Sequence, residues 1–175
     1  MRKAILLLLL LLPACHTTPS GPVTLFDFED EKELDLLKWR CRDRFTLSSD
    51  WAASGTHSLR CEAAHRTYPG VILRPPLLDW APYRSLSLHV YSAAADTVTL
   101  VVRIDDERAG PEYGDRYNGY FPIHPGENSI EVDLEQVRRS PARRELDLSR
   151  LDRVLLFLRK PDETPVLYFD GIALR

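Results

Sequence analysis

The sequence lacks the features that mark nucleic-acid-binding proteins and zinc enzymes. Its 23 lysines and arginines are outnumbered by 26 aspartates and glutamates, and the net charge is −3 at pH 7. No basic stripe is interleaved with aromatic residues, which argues against a nucleic-acid partner. The five histidines are not spaced as zinc ligands, and no serine-nucleophile elbow accompanies them. No internal repeat is present, so a single domain is expected.

Long hydrophobic runs are also absent, except at the N-terminus. Arg2 and Lys3 precede an apolar run over residues 4–12, and Pro13, Ala14 and Cys15 follow it. A short basic segment followed by a short apolar core is typical of an export signal, and the run is too short to span a bilayer as a helix. The sequence therefore predicts a signal peptide over residues 1–14.

The cysteine that ends this signal resembles the lipid-attachment cysteine of bacterial lipoproteins. The resemblance implies that Cys15 becomes the acylated (palmitate-type) N-terminal residue and that residues 15–22 form a tether to a domain over 23–175. His16 follows Cys15 in place of an aspartate, which favours the outer membrane and a domain facing the periplasm or the cell surface. A cysteine placed there by chance is the alternative.

Cysteine is otherwise scarce, with three in the whole chain. If Cys15 carries lipid, Cys41 and Cys61 remain as a pair in an oxidising compartment. Both lie on candidate strands that flank a turn near Trp51, so a disulfide between them is predicted. Two buried thiols are the alternative.

Alternation of apolar and polar residues dominates the rest of the chain and predicts an all-β sandwich. A loop or one helical turn is expected over 31–37 and a short helix over 134–139. Strands are predicted over residues 23–29, 39–47, 57–63, 71–74, 85–91, 97–104, 117–123, 128–134, 150–159 and 166–174.

The longest polar interruption between predicted strands, residues 105–126, is the candidate ligand site. Flat aromatic rings mixed with fork-like and amide hydrogen-bonding groups are what a protein uses to hold a polar, ring-shaped ligand such as a sugar. The alternative is that part of the segment serves the core and that Asp115 and Arg116 stabilise the loop. The predicted ligand-binding residues are Asp106, Tyr113, Asp115, Arg116, Tyr117 and Asn118.

Several short motifs resemble the galactose-binding-like β-jelly rolls, which include carbohydrate-binding modules of bacterial polysaccharide enzymes. The resemblance implies a jelly-roll fold, with a ligand bound on a sheet face or in loops at one edge. The motifs are F-D-F-E at 26–29, A-S-G-T-H-S-L at 53–59, P-G-E-N-S-I-E-V at 125–132 and L-Y-F-D-G-I-A-L at 167–174.

The same resemblance implies a structural calcium ion. Ca²⁺ takes six to eight oxygen ligands, so acidic residues and main-chain carbonyls must converge around it. Glu29 matches the acid on the first strand of the family and Asp170 the acid on its last strand, while the main chain around Thr56 would add carbonyls. Ordinary polar groups at a sheet edge are the alternative.

One stretch is similar to the E-x-D-x-E motif of retaining glucanases. On a single strand, Glu131, Asp133 and Glu135 would point to one face and could flank a glycosidic bond. The same residues also fit a strand of the binding-module resemblance, which needs no catalysis.

Taken together, these features predict a non-catalytic, lipid-anchored module of the bacterial envelope that binds a glycan. A protein-interaction or assembly scaffold of the envelope is the alternative, and a glycoside hydrolase using Glu131 and Glu135 is a third possibility. No nucleic-acid partner is expected.

Overall fold

A computed structural model describes residues 21–40, 44–63, 67–159, 161 and 165–175, with the side chains of residues 39 and 40 left out. Within these residues the chain is almost entirely β-structure. Eleven strands are described: β1 Val23–Phe26, β2 Leu37–Arg40, β3 Arg44–Ser48, β4 Ser58–Glu62, β5 Gly70–Leu73, β6 Ser85–Ser92, β7 Val98–Asp106, β8 Tyr117–Ile123, β9 Gly126–Asp133, β10 Leu151–Leu158 and β11 Val166–Leu174.

The strands form two antiparallel sheets. One has the order β3-β4-β11-β6-β9, and β1 also pairs with β11; the other has the order β2-β5-β10-β7-β8. One edge of β11 pairs with two strands, β4 along Val166–Phe169 and β1 along Ile172, Ala173 and Leu174, while its other edge pairs with β6. The predicted all-β sandwich is confirmed.

The core lies between the inner faces of the sheets and follows from the alternation along each strand. Leu86, Leu88 and Val90 of β6 are buried from one side, and Leu100, Val102 and Ile104 of β7 are buried from the other. The residues between them point away from the core. Each sheet therefore has an outer face whose side chains are free to serve another purpose.

Two helical segments complete the described part of the chain. A 3₁₀ turn covers Glu31–Leu36, where a helical turn or a loop was predicted. The helix α1 covers Leu134–Arg139, as predicted, and begins at Asp133, whose carboxylate accepts a hydrogen bond from the Glu135 N–H. Leu134 and Val137 anchor this helix in the core.

The prediction of a single strand over residues 39–47 is wrong. Its N-terminal part belongs to β2, which pairs with β5, and its C-terminal part belongs to β3, which pairs with β4 in the other sheet. Two short strands that follow each other closely in the chain read as one alternating run, because the pattern does not reveal a change of sheet.

Candidate functional site

The outer face of the five-stranded sheet carries polar and aromatic side chains in register. In β7, Val101 and Arg103 point away from the core, between inward-facing Leu100, Val102 and Ile104. Strand pairing then sets two rows across β8, β7 and β10. These rows are Asn118–Arg103–Leu155 and Tyr120–Val101–Phe157.

A depression of about 340 Å³ lies on this face. Its aromatic lining is unusual, because four large hydrophobic side chains are exposed among the described residues and three of them line it. These are Tyr68, Tyr113 and Tyr120, with 42%, 62% and 48% of their surface exposed. The complete lining is Tyr68, Val101, Arg103, Tyr113, Arg116, Asn118, Tyr120, Phe157 and Arg159.

Contacts between the aromatic rings fix the walls of the depression. Tyr68 meets Phe157 edge to face, with ring centroids 6.0 Å apart. On the other side, the hydroxyl groups of Tyr113 and Tyr120 share a hydrogen bond, and the Arg116 guanidinium lies 5.3 Å from the Tyr113 ring centroid. The loop 107–116, which joins β7 to β8, therefore folds back onto its own strand and extends the aromatic surface.

Arginine dominates the polar groups in and beside the depression. Arg103 donates two hydrogen bonds to Asp105, from Nε at 2.7 Å and from Nη2 at 2.6 Å, and Arg153 Nε donates a third at 2.8 Å. Asp105 is fully buried beneath them. One carboxylate is thus shared by two guanidinium groups, which holds Arg103 in a fixed orientation on the face.

Two of the predicted ligand-binding residues, Asp106 and Asp115, do not line the depression. Both accept hydrogen bonds from Arg144, whose Nη1 lies 2.5 Å from Asp106 Oδ2 and whose Nε lies 2.5 Å from Asp115 Oδ1. Asp106 also accepts the Asp147 N–H, and Asp115 accepts the Gly110 N–H. These carboxylates hold the loop 107–116 in place.

The pKa values of the two carboxyl groups agree with this role. Burial disfavours the charged form of Asp106, but the hydrogen bonds from Arg144 and the Asp147 N–H outweigh it and hold the pKa of Asp106 below its ordinary value. Hydrogen bonds from Arg144 and the Gly110 N–H likewise lower the pKa of Asp115. Both groups remain ionised partners of Arg144 at neutral pH.

Tyr117 is the third predicted residue that lies elsewhere. Its side chain packs against the core together with that of Phe121, and burial raises the pKa of its hydroxyl. The structure therefore brings Tyr113, Arg116 and Asn118 together at the depression and directs Asp106, Asp115 and Tyr117 to the support of the fold.

Two tryptophans lie away from the depression. Trp80 is fully buried and donates its indole N–H to the Leu77 carbonyl. Trp51 lies on the outer face of the other sheet, packed 5.6 Å from the ring centroid of Tyr91. Val101, Arg103, Phe157 and Arg159 were not predicted. Alternation in β7 places Val101 and Arg103 on an outer face, but no local signal pairs β7 with β10.

The predicted calcium residues converge on one loop but are engaged by N–H groups. Glu29 Oε1 accepts hydrogen bonds from the N–H groups of Thr56 at 2.7 Å and His57 at 2.8 Å, and Oε2 accepts from Thr56 Oγ1 at 2.7 Å. Asp170 Oδ2 accepts from the N–H groups of Ala53 at 2.8 Å and Ser54 at 2.9 Å.

This donor set does not fit a calcium ion, which needs six to eight oxygens around it. Backbone N–H groups and the Thr56 hydroxyl already donate to the carboxylate oxygens, and no group of three or more acidic, histidine or cysteine side chains converges within the described ranges. As arranged, Glu29 and Asp170 clamp the loop between β3 and β4.

The three carboxylates of the E-x-D-x-E motif do not share one strand face. Strand β9 ends at Asp133, which caps α1, so Glu135 lies in the first turn of the helix. There it forms ion pairs with Arg138 and Arg139. The expectation that period two aligns all three residues is wrong, because the strand stops before the third.

A larger depression, of about 780 Å³, lies beside α1 and lacks the exposed aromatic rings of the first. Five of its seven charged side chains pair with one another. Arg138 pairs with Glu135 and Glu145, and Arg108 lies 3.9 Å from Asp147. Among the described residues, the face with Tyr68, Tyr113 and Tyr120 is therefore the better candidate site.

The predicted lipidation and disulfide sites fall partly outside the residues that the structure describes. Cys15 and Cys41 are not among the described residues. Cys61 is buried on β4 and is paired with Phe45 in the ladder with β3. In the part of the chain that is described, no helix has the length and apolar character needed to cross a membrane.

No protein-family model and no curated protein matches this sequence. Solved structures match its fold. A family 11 carbohydrate-binding module from Clostridium thermocellum, in complex with a β-1,3-1,4-mixed-linked tetrasaccharide, is similar with a TM-score of 0.65 and 16% identity. The match covers 88% of this chain and 95% of that module.

Two further structures extend the comparison. A xylan-binding domain from family 22 is similar with a TM-score of 0.56 and 13% identity, over 89% of this chain and 94% of that domain. An exo-β-agarase matches with a TM-score of 0.71 and 15% identity over 87% of this chain, which spans 24% of the agarase chain. At these identities the likeness is one of fold.

Proposed function

We propose that this chain is a non-catalytic carbohydrate-binding module that holds a glycan on the outer face of its five-stranded sheet. The observation that carries the proposal is the clustering of Tyr68, Tyr113 and Tyr120 in one depression. Exposed aromatic rings are costly to leave in water without a function, and a contiguous exposed group marks an interaction site. Tyrosine suits a sugar because its ring packs against C–H groups while its hydroxyl bonds to water or to sugar hydroxyls.

The polar groups of the depression suit the same ligand. Asn118 offers an amide that both donates and accepts hydrogen bonds, and Arg103 offers a guanidinium fixed by Asp105. Rigid rings and prealigned donors lower the entropy lost on binding. The fold likeness to two binding modules supports this proposal, since one of them is described in complex with a tetrasaccharide and the other as xylan-binding.

Absence of hydrolysis is part of the proposal. Most glycoside hydrolases need two carboxylates that flank the scissile bond. None of the described residues that line the depression is acidic. Glu135, which the sequence motif offered as a catalytic residue, is paired with arginines on α1.

The proposal includes anchoring in the bacterial envelope through lipid on Cys15. The basic start, the apolar run over residues 4–12 and the cysteine that follows support it. A module tethered in this way would hold a glycan at the outer membrane.

The test is isothermal titration of the purified protein against soluble mixed-linked β-1,3-1,4-glucan, xylan, agarose oligosaccharides and polygalacturonate. We expect binding to at least one glycan and no release of reducing sugar. Tyr120→Ala and Tyr68→Ala should each weaken that binding by about tenfold or more, because truncating a central aromatic anchor costs about 2 kcal/mol.

Leu78→Ala is the matched control, since Leu78 is 45% exposed and lies outside the depression. Its affinity should equal that of the unaltered protein. Unchanged affinity in both tyrosine variants would move the site away from this face. Failure to bind any glycan, with capture of envelope proteins instead, would favour the interaction scaffold.

A further inference from the structure

The charge of the depression is opposite in sign to that of the protein. Its described lining includes Arg103, Arg116 and Arg159 and no acidic residue. The chain as a whole has a net charge of −3. A cluster of positive side chains on a negatively charged protein can attract a negatively charged ligand, which the net charge alone would not predict.

Asp105 does not line the depression. It is fully buried and pairs with Arg103 and Arg153, and Arg153 Nε also lies 3.5 Å from Asp152. The side chain of Arg103 keeps 15% of its surface exposed. Asp105 thus offsets the charge of Arg103, and the positive charge of the described lining comes from Arg116 and Arg159.

The other two arginines stand at the walls. Arg116 lies over the Tyr113 ring, which aligns its guanidinium beside an exposed aromatic surface. Arg159 is exposed at the end of β10 and acts on Tyr120: the hydrogen bond with Tyr113 raises the pKa of Tyr120, and the charge of Arg159 opposes that rise. Aromatic rings and arginines thus line the same depression.

From this arrangement we infer that the ligand is an acidic glycan, one that carries carboxylate or sulfate groups along its chain. The inference rests on the proposed function and names the class of glycan. Guanidinium groups match carboxylate and sulfate in planar, bidentate hydrogen bonds, while the tyrosines bind the sugar rings between the acidic groups. A neutral glycan would offer no group of opposite charge to Arg116 and Arg159 when it displaced water from them.

The test uses two pairs of glycans that differ in charge. Polygalacturonate is compared with its fully methyl-esterified form, and κ-carrageenan with its chemically desulfated form; the first pair reports on carboxylate and the second on sulfate. We expect the acidic member of at least one pair to bind at least tenfold more tightly. We expect its affinity to fall between 50 mM and 500 mM NaCl, because salt screens charge pairs of this kind.

Arg159→Gln should weaken binding of the preferred acidic glycan by about tenfold, the effect of losing one charge-assisted contact. Arg175→Gln removes the same charge from the opposite sheet, where Arg175 donates to Ser87 Oγ, and should leave the affinity unchanged. Melting temperatures confirm that both variants are folded, and the salt dependence of the unaltered protein is a measurement independent of either variant.

The outcomes separate the two proposals. Equal or tighter binding of the neutral members would overturn the acidic ligand and leave glycan binding intact. Binding of poly-L-glutamate as tight as that of polygalacturonate would also overturn it, because charge without sugar would then suffice. Binding to none of these glycans, or to those of the wider panel, would remove the glycan-binding function itself.

Discussion

Arg144 joins two carboxylates, that of Asp106 at the end of β7 and that of Asp115 near the end of the loop that follows. Asp106 is fully buried, and the side chain of Arg144 is 22% exposed. The three residues fix the path of the loop 107–116 and, with it, the position of Tyr113. Composition predicted Asp106 and Asp115 as ligand-binding residues. Their partner Arg144 is 38 residues from Asp106 and 29 residues from Asp115, and a local sequence pattern does not reveal a contact over such a separation.

Replacing Arg144 by methionine tests this role. We expect Arg144→Met to lower the free energy of unfolding by about 3 kcal/mol, since it removes the guanidinium that hydrogen-bonds the buried carboxylate of Asp106 and leaves only the more distant Arg108, at 3.8 Å, as a charged partner. Urea unfolding followed by fluorescence measures the change.

Arg143→Met is the control, because Arg143 is the exposed neighbour in the chain. It should change stability by less than about 0.5 kcal/mol. An equal effect of the two substitutions would contradict the account of Arg144 as the residue that holds the loop.

At the scale of elements, the loop between β3 and β4 is held by acids from the two ends of the chain. Glu29 follows β1 and Asp170 lies on β11. Gly55 makes the approach of Glu29 possible: its φ is +66°, and a Cβ there would lie 2.3 Å from Glu29 Oε1. The A-S-G-T motif therefore encodes a turn that receives a carboxylate.

The clamp gives the protein a pH dependence of known sign. Hydrogen bonds from the His57 N–H, the Thr56 hydroxyl and the Thr56 N–H lower the pKa of Glu29 from 4.5 to about 2. A depressed pKa in the folded state means that the stabilisation is complete above about pH 4.5 and is lost as the pH falls towards 2. We expect Glu29→Gln to lower Tm at pH 7, with the difference from the unaltered protein shrinking towards pH 2.

Melting curves between pH 2.5 and 7 measure this difference. Glu131→Gln, which removes an exposed carboxylate from β9, is the control. A difference that stays constant with pH would contradict the clamp. In the same melts, EDTA at pH 7 should leave Tm unchanged, since N–H groups already occupy both carboxylates. A fall of several degrees with EDTA would instead support the calcium ion that the family resemblance implies.

At the scale of the whole molecule, the candidate site and the strand that follows the predicted tether lie on different sheets. The predicted tether, residues 15–22, immediately precedes β1 in the sequence, and β1 pairs with β11 in the six-stranded sheet. The depression lies on the other sheet. A module held by its first strand would thus carry its proposed ligand face on the sheet that the tether does not enter.

The anchor itself is tested by expressing the full chain in a Gram-negative host with radiolabelled palmitate. We expect label in the protein and its recovery with detergent from the membrane fraction. Cys15→Ser should abolish the label and prevent membrane retention of the processed protein.

Cys41→Ser is the matched control and should retain the label, since only Cys15 follows the signal. Membrane retention of unlabelled Cys15→Ser protein, with the signal removed, would show that something other than lipid holds it.

Local patterns predicted individual elements well where a strand or helix has its own boundaries in the sequence. Tyr117–Ile123, Val166–Leu174 and Leu134–Arg139 have the predicted limits. They are delimited by turn residues or by a helix cap, which act over a few positions. The prediction of one strand over residues 39–47 was wrong because local patterns act over a few positions only. Alternation indicates that a segment is extended and does not indicate which strand it pairs with.

The sequence by itself determined the all-β class, since covalent neighbours in an extended chain must point to opposite faces and the apolar residues alternate accordingly. It also pointed to a segment rich in tyrosine, arginine and asparagine. Tertiary structure decided which side chains of that segment meet. Pairing of β7 with β8 and β10 brings Phe157 and Arg159 close to Tyr120, and pairing of β10 with β5 brings Tyr68 to the same face. Ion pairs with Arg144 hold Asp106 and Asp115 outside the depression. Such encounters depend on contacts between distant parts of the chain, which no local pattern encodes.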